Sequence, residues 1–152
     1  MKKEIDFLDR LGTKNIPHDT RNLYEHLVGV YELLKSHGRP EHEQRAGLFH
    51  AIYGTEFFNT GLTITRDIVK KNIGEEAEEI AYIFCTTKGR PGTGDRRMLF
   101  MGGLEWEEPL RTSLRWLDYL NAIEQHDEES MDMVFKNTMH LYRTILNIDK
   151  RI

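Results

Sequence analysis

Ala46-Gly47-Leu48-Phe49-His50-Ala51-Ile52-Tyr53-Gly54-Thr55-Glu56-Phe57-Phe58 is the stretch on which the reading of the chain turns. Wound as a helix, it sets Ala46, Phe49, His50 and Tyr53 on one stripe, so His50 lies among apolar neighbours and points inward. A buried imidazole needs partners for its ring nitrogens. Two other stretches offer them. Leu23-Tyr24-Glu25-His26-Leu27-Val28 carries a second histidine in an apolar helical repeat, and Leu114-Arg115-Trp116-Leu117-Asp118-Tyr119-Leu120-Asn121 carries a carboxylate in a third. Two inward histidines and one inward aspartate from three helices compose a metal-ligand set. Each has a plainer alternative. A single histidine on an apolar face is more often hydrogen-bonded within the core, and a carboxylate beside Leu114, Leu117 and Leu120 is as well served by an arginine as by a metal.

Outward from these stretches the pattern is helical throughout. Phe7, Leu8 and Leu11 predict a short amphipathic helix stopped near Gly12. A turn over 15–20 leaves Asp19 or Thr20 to cap a helix over 21–37, with Leu23, His26, Leu27, Val30, Leu33 and Leu34 inward and Gly38 ending it. Pro40 opens the next helix, over 40–53, which starts polar with Glu41 and Glu43, turns apolar and stops at Gly54. A helix over 65–71 takes Thr65 as its cap, and another over 75–87 begins with Glu75, Glu76, Glu78 and Glu79, read as a solvated first turn favoured by the helix dipole. Residues 88–94 form a Gly-rich loop. Residues 95–107 are compatible with a short helix, a hairpin or a lid. Helices over 109–125 and 130–147 complete the chain, the last with Met131, Val134, Phe135, Tyr142 and Leu146 toward the core. The expected fold is all-α, six or seven helices in one domain spanning 1–152.

Composition sets the bounds on function. At 152 residues, with 39% hydrophobic and 30% charged side chains, the chain has the makeup of a globular domain with a single core. A formal charge of −4 argues against a nucleic-acid backbone as partner. No apolar run nears the ~20 residues that span a bilayer, and the charged start Met1-Lys2-Lys3-Glu4 lacks the apolar core of a signal peptide. Cys85 is the only cysteine, so no intramolecular disulfide forms; it sits in the apolar run Ile80-Ala81-Tyr82-Ile83-Phe84-Cys85 and is expected in the core. The expected compartment is the cytoplasm. Oligomeric state is left open.

The order His26, then Ala46-Gly47-Leu48-Phe49-His50, then Leu117-Asp118-Tyr119-Leu120-Asn121 resembles the HD superfamily of metal-dependent phosphohydrolases. Within it the spacing is most similar to the hydrolase domain of bacterial stringent-response enzymes that act on guanosine tetraphosphate. The segment Leu48-Phe49-His50-Ala51-Ile52-Tyr53-Gly54-Thr55-Glu56 also resembles a group of small HD-like proteins of unknown function. The resemblance implies an HD-like helical bundle with His26, His50 and Asp118 as metal ligands. It has two departures: Ala51 stands where the His-Asp pair has its aspartate, ordinarily a ligand that supports activation of the attacking water, and the acidic pair that follows in the stringent-response enzymes has no match at Gly54 and Thr55, Glu56 lying one position beyond.

Two histidines and one carboxylate suit a divalent Mn, Fe or Zn ion, and Glu56 is the candidate to complete the site, as a ligand or as the base that deprotonates water. Arg21, at the start of its helix, and Lys88, in the Gly-rich loop, are candidates to hold an anionic substrate, with His18, Tyr53 and Asn121 lining the same site. The leading expectation is a metal-dependent phosphohydrolase acting on a small phosphorylated or nucleotide compound. Two others stand beside it: an HD-like iron-dependent oxygenase, and a ligand-binding module in which Ala51 has removed turnover. Neither a Rossmann fingerprint nor a P-loop is present.

Overall fold

The computed structural model describes residues 1–55, 58–87, 100, 105–126, 129 and 131–148. The protein is all-α, with seven α-helices among the described residues and one two-stranded ribbon. The chain divides into two compact units, Met1–Lys88 and Gly89–Ile152, where the sequence suggested one domain.

In the first unit α1 (Lys2–Arg10) ends where Gly12 takes φ 86°, a left-handed conformation suited to glycine. A single 3₁₀ turn, Thr13–Asn15, leads into β1 (Pro17–His18) and β2 (Arg21–Asn22), an antiparallel pair joined by Asp19 and Thr20. Asp19 adopts φ 55°, the positive φ that two-residue hairpin turns require and that aspartate tolerates. This ribbon displaces the expected helix start. The next helix, α2 (Leu23–Ser36), begins two residues late, and its cap is Asn22, whose side chain accepts from Glu25 N at 2.8 Å, rather than Asp19 or Thr20. Arg21 is therefore on a strand and not at a helix N-terminus.

Helix α3 (Glu41–Phe49) also departs from expectation. It stops at Phe49, leaving His50 as the C-cap and Ala51, Ile52 and Tyr53 in a turn closed by Gly54 N to Ala51 O at 3.0 Å. Helices α4 (Arg66–Ile73) and α5 (Glu75–Thr86) follow as expected. Thr65 caps α4 by accepting from Ile68 N, and Gly74, at φ 92°, separates the two helices. The unit's core is Leu8, Leu23, Leu27, Val30, Leu34, Leu48, Phe49, Ile52, Val69, Ala81 and Phe84, all buried, with Phe7 stacked on Phe49.

Two acidic side chains depart from the pattern. Glu78, read as part of a solvated first turn, is fully buried, and Glu43 is buried with both its oxygens on Arg39 at 2.7 Å. A carboxylate survives burial when charge-assisted hydrogen bonds replace its water, which both arginines supply.

The second unit contains α6 (Leu110–Gln125) and α7 (Met133–Leu146), which pack together. Asp132 caps α7 by accepting from Phe135 N at 2.7 Å. The inward face of α7 is Phe135, Thr138, Met139 and Tyr142; Val134, expected inside, is 57% exposed, because the buried stripe of the helix runs through its neighbour Phe135. Of the segment 95–107, residues 95–99 and 101–104 lie outside the described residues, as does the loop 88–94.

Candidate functional site

Helices α2 and α3 run as neighbours joined by the short link Gly38-Arg39-Pro40, and they bring the two histidines together. His26 Nε2 and His50 Nε2 are 3.1 Å apart, both residues are 1% exposed, and their rings meet edge to face at 74°. The expectation that the imidazoles point inward holds for both.

The geometry fixes the tautomer of His50. His50 Nδ1 lies 2.8 Å from the carbonyl of Gly47, and a carbonyl only accepts, so Nδ1 is the protonated nitrogen. The neutral ring then presents a lone pair at Nε2, toward His26. Such a carbonyl-anchored tautomer is what a metal-ligating histidine requires. With nitrogens at ~2.05 Å from an ion, the observed 3.1 Å separation subtends about 100° at the ion, between octahedral and tetrahedral values. The same contact also closes as a hydrogen bond with one proton, on His26 Nε2. The pair thus fits two cis ligands and fits a satisfied core pair.

Three further groups hold the pair. His18, on β1, stacks flat on His26 with ring centroids 4.3 Å apart and 8° between planes, and Phe58 meets His18 edge-on at 5.0 Å. Phe84 meets His50 edge-on at 5.3 Å. Cys85 Sγ donates to the His50 carbonyl at 2.9 Å, an acceptor made available because α3 ends one residue before. Cys85 is buried, as expected, but it anchors the backbone of His50 as well as filling the core. Arg21 lies directly across the ribbon from His18, and opposite residues of an antiparallel pair project to the same face. The ribbon therefore carries a guanidinium and an imidazole together beside the pair.

Tyr53 belongs to a second cluster. Its hydroxyl donates to Glu78 Oε2 at 2.7 Å, and Arg66 grips the same carboxylate with Nη2 at 2.7 Å from Oε1 and Nε at 3.0 Å from Oε2. The guanidinium also sits 3.5 Å over the Tyr82 ring. Burial, then the bond to Glu78, pushes the Tyr53 hydroxyl well above its ordinary range. Burial pushes the Glu78 carboxyl up, but the bonds from Arg66 and Tyr53 together outweigh it and hold the group below 4.5. Tyr53 is thus anchored as a strut between the turn after α3 and helix α5.

Asp118 and Asn121 are on α6, in the second unit. Asp118 is 6% exposed and accepts from the hydroxyl of Tyr142 on α7, a partner the sequence reading, which offered a metal or an arginine, did not include. Burial first, then the Asp118 charge, pushes the Tyr142 hydroxyl well above its ordinary value. Asn121 is half-buried. Glu56 and Lys88 lie outside the described residues. Among the described residues, no group of three or more His, Cys, Asp or Glu side chains is arranged to hold a metal ion; the convergence at this site is of two histidines. None of the helices among the described residues is long and apolar enough to cross a membrane.

Sequence reasoning placed His18 with Tyr53 along the same cavity and Cys85 in the core, but it passed over the contact of Cys85 with the His50 carbonyl and the clamp of Glu78 and Arg66. Cys85 and the clamp carry no local signal, since their partners lie 35 and 12 residues away.

The model of a family described as a domain of unknown function, DUF6817, matches residues 7–88, so the match ends where the first unit ends. No curated protein and no solved structure matches the chain.

Proposed function

We propose, for a chain that belongs to the DUF6817 family, that it is an HD-like metal-dependent phosphohydrolase acting on a small phosphorylated or nucleotide compound. The observation that carries this reading is the buried, facing Nε2 pair of His26 and His50, with the His50 tautomer fixed by Gly47 O. These two side chains would hold a divalent Mn, Fe or Zn ion. Such an ion supplies Lewis-acid polarisation of a phosphoryl oxygen and activation of water.

The chain's own residues supply orientation, dryness and charge. Gly47 O and Cys85 Sγ hold His50 from two sides, His18 covers the face of His26 with Phe58 against its own ring, and Phe84 packs against His50. Arg21, carried on the ribbon with His18, is the cation suited to an anionic substrate. Glu56 and Lys88 retain the roles of proton acceptor and second phosphate contact.

The test is elemental analysis of the full chain purified without chelator, followed by titration with Mn(II), Fe(II), Zn(II) and Co(II) and phosphate release from a panel of phosphorylated small molecules. Metal binding lost in His26→Ala and in His50→Ala, with phosphate release that depends on the metal, supports the reading. A protein that binds none of the four ions refutes it.

A second reading, a ligand-binding module without turnover, is favoured by Ala51. This residue, where the resemblance calls for an aspartate, is a buried methyl, and no third donor joins the pair among the described residues. Metal or nucleotide binding without phosphate release would favour it. Oxygen consumption by the Fe(II)-loaded protein would favour the iron-dependent oxygenase.

A further inference from the structure

Gly47 is buried in the middle of the contact between α2 and α3, one helical turn before His50. A Cβ at this position would lie 2.6 Å from Leu34 Cδ1, 3.4 Å from Val30 Cγ1 and 3.6 Å from Tyr31 Cα. The last distance, to backbone, is ordinary van der Waals contact, so the approach that a side chain at this position would obstruct is that of the Leu34 methyl. Leu34 and Val30 are themselves completely buried, which leaves the leucine little space into which to turn. Val30 is one turn beyond His26 along α2, and Gly47 is one turn before His50 along α3. The helix contact and the imidazole contact are therefore successive rungs of one antiparallel packing.

From this we infer that Gly47 is a positioning residue that sets the distance between the two imidazoles. It acts twice: its missing side chain leaves room for the fully buried Leu34 methyl, so that α2 keeps the spacing of the 3.1 Å Nε2 contact, and its carbonyl fixes which His50 nitrogen faces His26. A spacing near 3 Å matters because two nitrogens grip one ion only over a narrow range of separation. Relieving the 2.6 Å approach to ordinary contact at 3.4 Å, with Leu34 too enclosed to turn away, pushes the helices apart at Gly47 and opens the pair at its neighbouring rung. The role as a metal-spacing residue rests on the metal reading above; the role in setting the imidazole contact does not.

The test uses the full chain in four forms: wild type, Gly47→Ala, Leu34→Ala and the double variant, in which removal of Leu34 Cδ1 makes room for the new methyl. Two readouts are taken well below each form's unfolding temperature. Histidine-ring NMR reports the His50 tautomer and the nuclear Overhauser contact between the rings of His26 and His50. Titration with Co(II) alone reports affinity. Gly47→Ala is expected to lose the ring contact and to weaken Co(II) binding by ~10-fold or more, Leu34→Ala to retain both, and the double variant to regain both. A structural role would lower thermal stability in Gly47→Ala while leaving the ring contact and the Co(II) affinity at wild-type values, and that result overturns the inference. So does a double variant that fails to recover. Should Gly47→Ala not fold, the double variant decides: ring contact present supports the inference, and its loss or a failure to fold overturns it. Should wild type bind no Co(II), the metal reading falls, and the ring contact alone decides the part played by Gly47.

Discussion

Replacing Arg66 by methionine removes the counter-ion of a fully buried carboxylate while keeping an unbranched side chain over Tyr82. Glu78 is 0% exposed and takes three hydrogen bonds within 3.2 Å from the guanidinium. Truncating one partner of a buried pair costs ~3–5 kcal/mol. Here the Arg66 side chain is 40% exposed, so water screens part of its charge and the expected loss is roughly 2–3 kcal/mol at pH 7. That corresponds to a fall in melting temperature of roughly 5–10 °C.

The pH dependence gives the sharper test. In the wild type the Glu78 carboxyl is held below its ordinary 4.5, so its contribution is present above the unfolded value and disappears as pH falls through the folded one. Without Arg66, burial dominates and the group is pushed up, so the variant gains relative stability as the carboxyl becomes neutral. The difference between the two proteins should therefore be large at pH 7 and much smaller at about pH 3.5. Urea unfolding followed by circular dichroism at both pH values measures it. A difference under ~0.5 kcal/mol at pH 7, or an equal difference at both pH values, would refute the argument that Arg66 stabilises by neutralising Glu78.

Other consequences are as direct. Tyr142→Phe removes the hydroxyl that satisfies the buried Asp118 carboxylate and should cost about 1–3 kcal/mol in urea unfolding, whereas Leu141→Ala, at a 46% exposed site on the same helix, should cost much less. Asn22→Ala deletes the α2 cap and should cost about 1 kcal/mol; Asn22→Asp should keep most of it. Cys85, buried and bonded to the His50 carbonyl, should react with a thiol reagent at the rate of global opening and fast only in denaturant. Prompt labelling of the native protein would contradict its placement.

Helices were legible because their information is local. Thr65 with an apolar repeat behind it, and Gly12, Gly38 and Gly74 at their ends, are signals within one or two turns. The ribbon was not legible, since two strands of two residues are too short for alternation to register, and its presence moved both the α2 cap and Arg21. Glu78 was misread for a related reason. An acidic first turn is ordinarily solvated, and nothing near it in sequence announces Arg66 across the corner at Gly74. At the site, each histidine could be read from its apolar neighbours, but their facing nitrogens, the His18 stack and the anchoring by Cys85 depend on how helices meet. Val134 shows the limit of periodicity itself: the buried stripe of α7 runs through Phe135 and Thr138, one residue away.

The ribbon ties two side chains of different chemistry to one register. Strand side chains alternate faces, so deleting a single residue from the Asp19-Thr20 turn or inserting one would swing His18 or Arg21 away from its cross-strand neighbour. The imidazole that roofs His26 and the cation beside it are thus inherited as a couple: a loop of fixed length, rather than either residue alone, is what selection would have to keep.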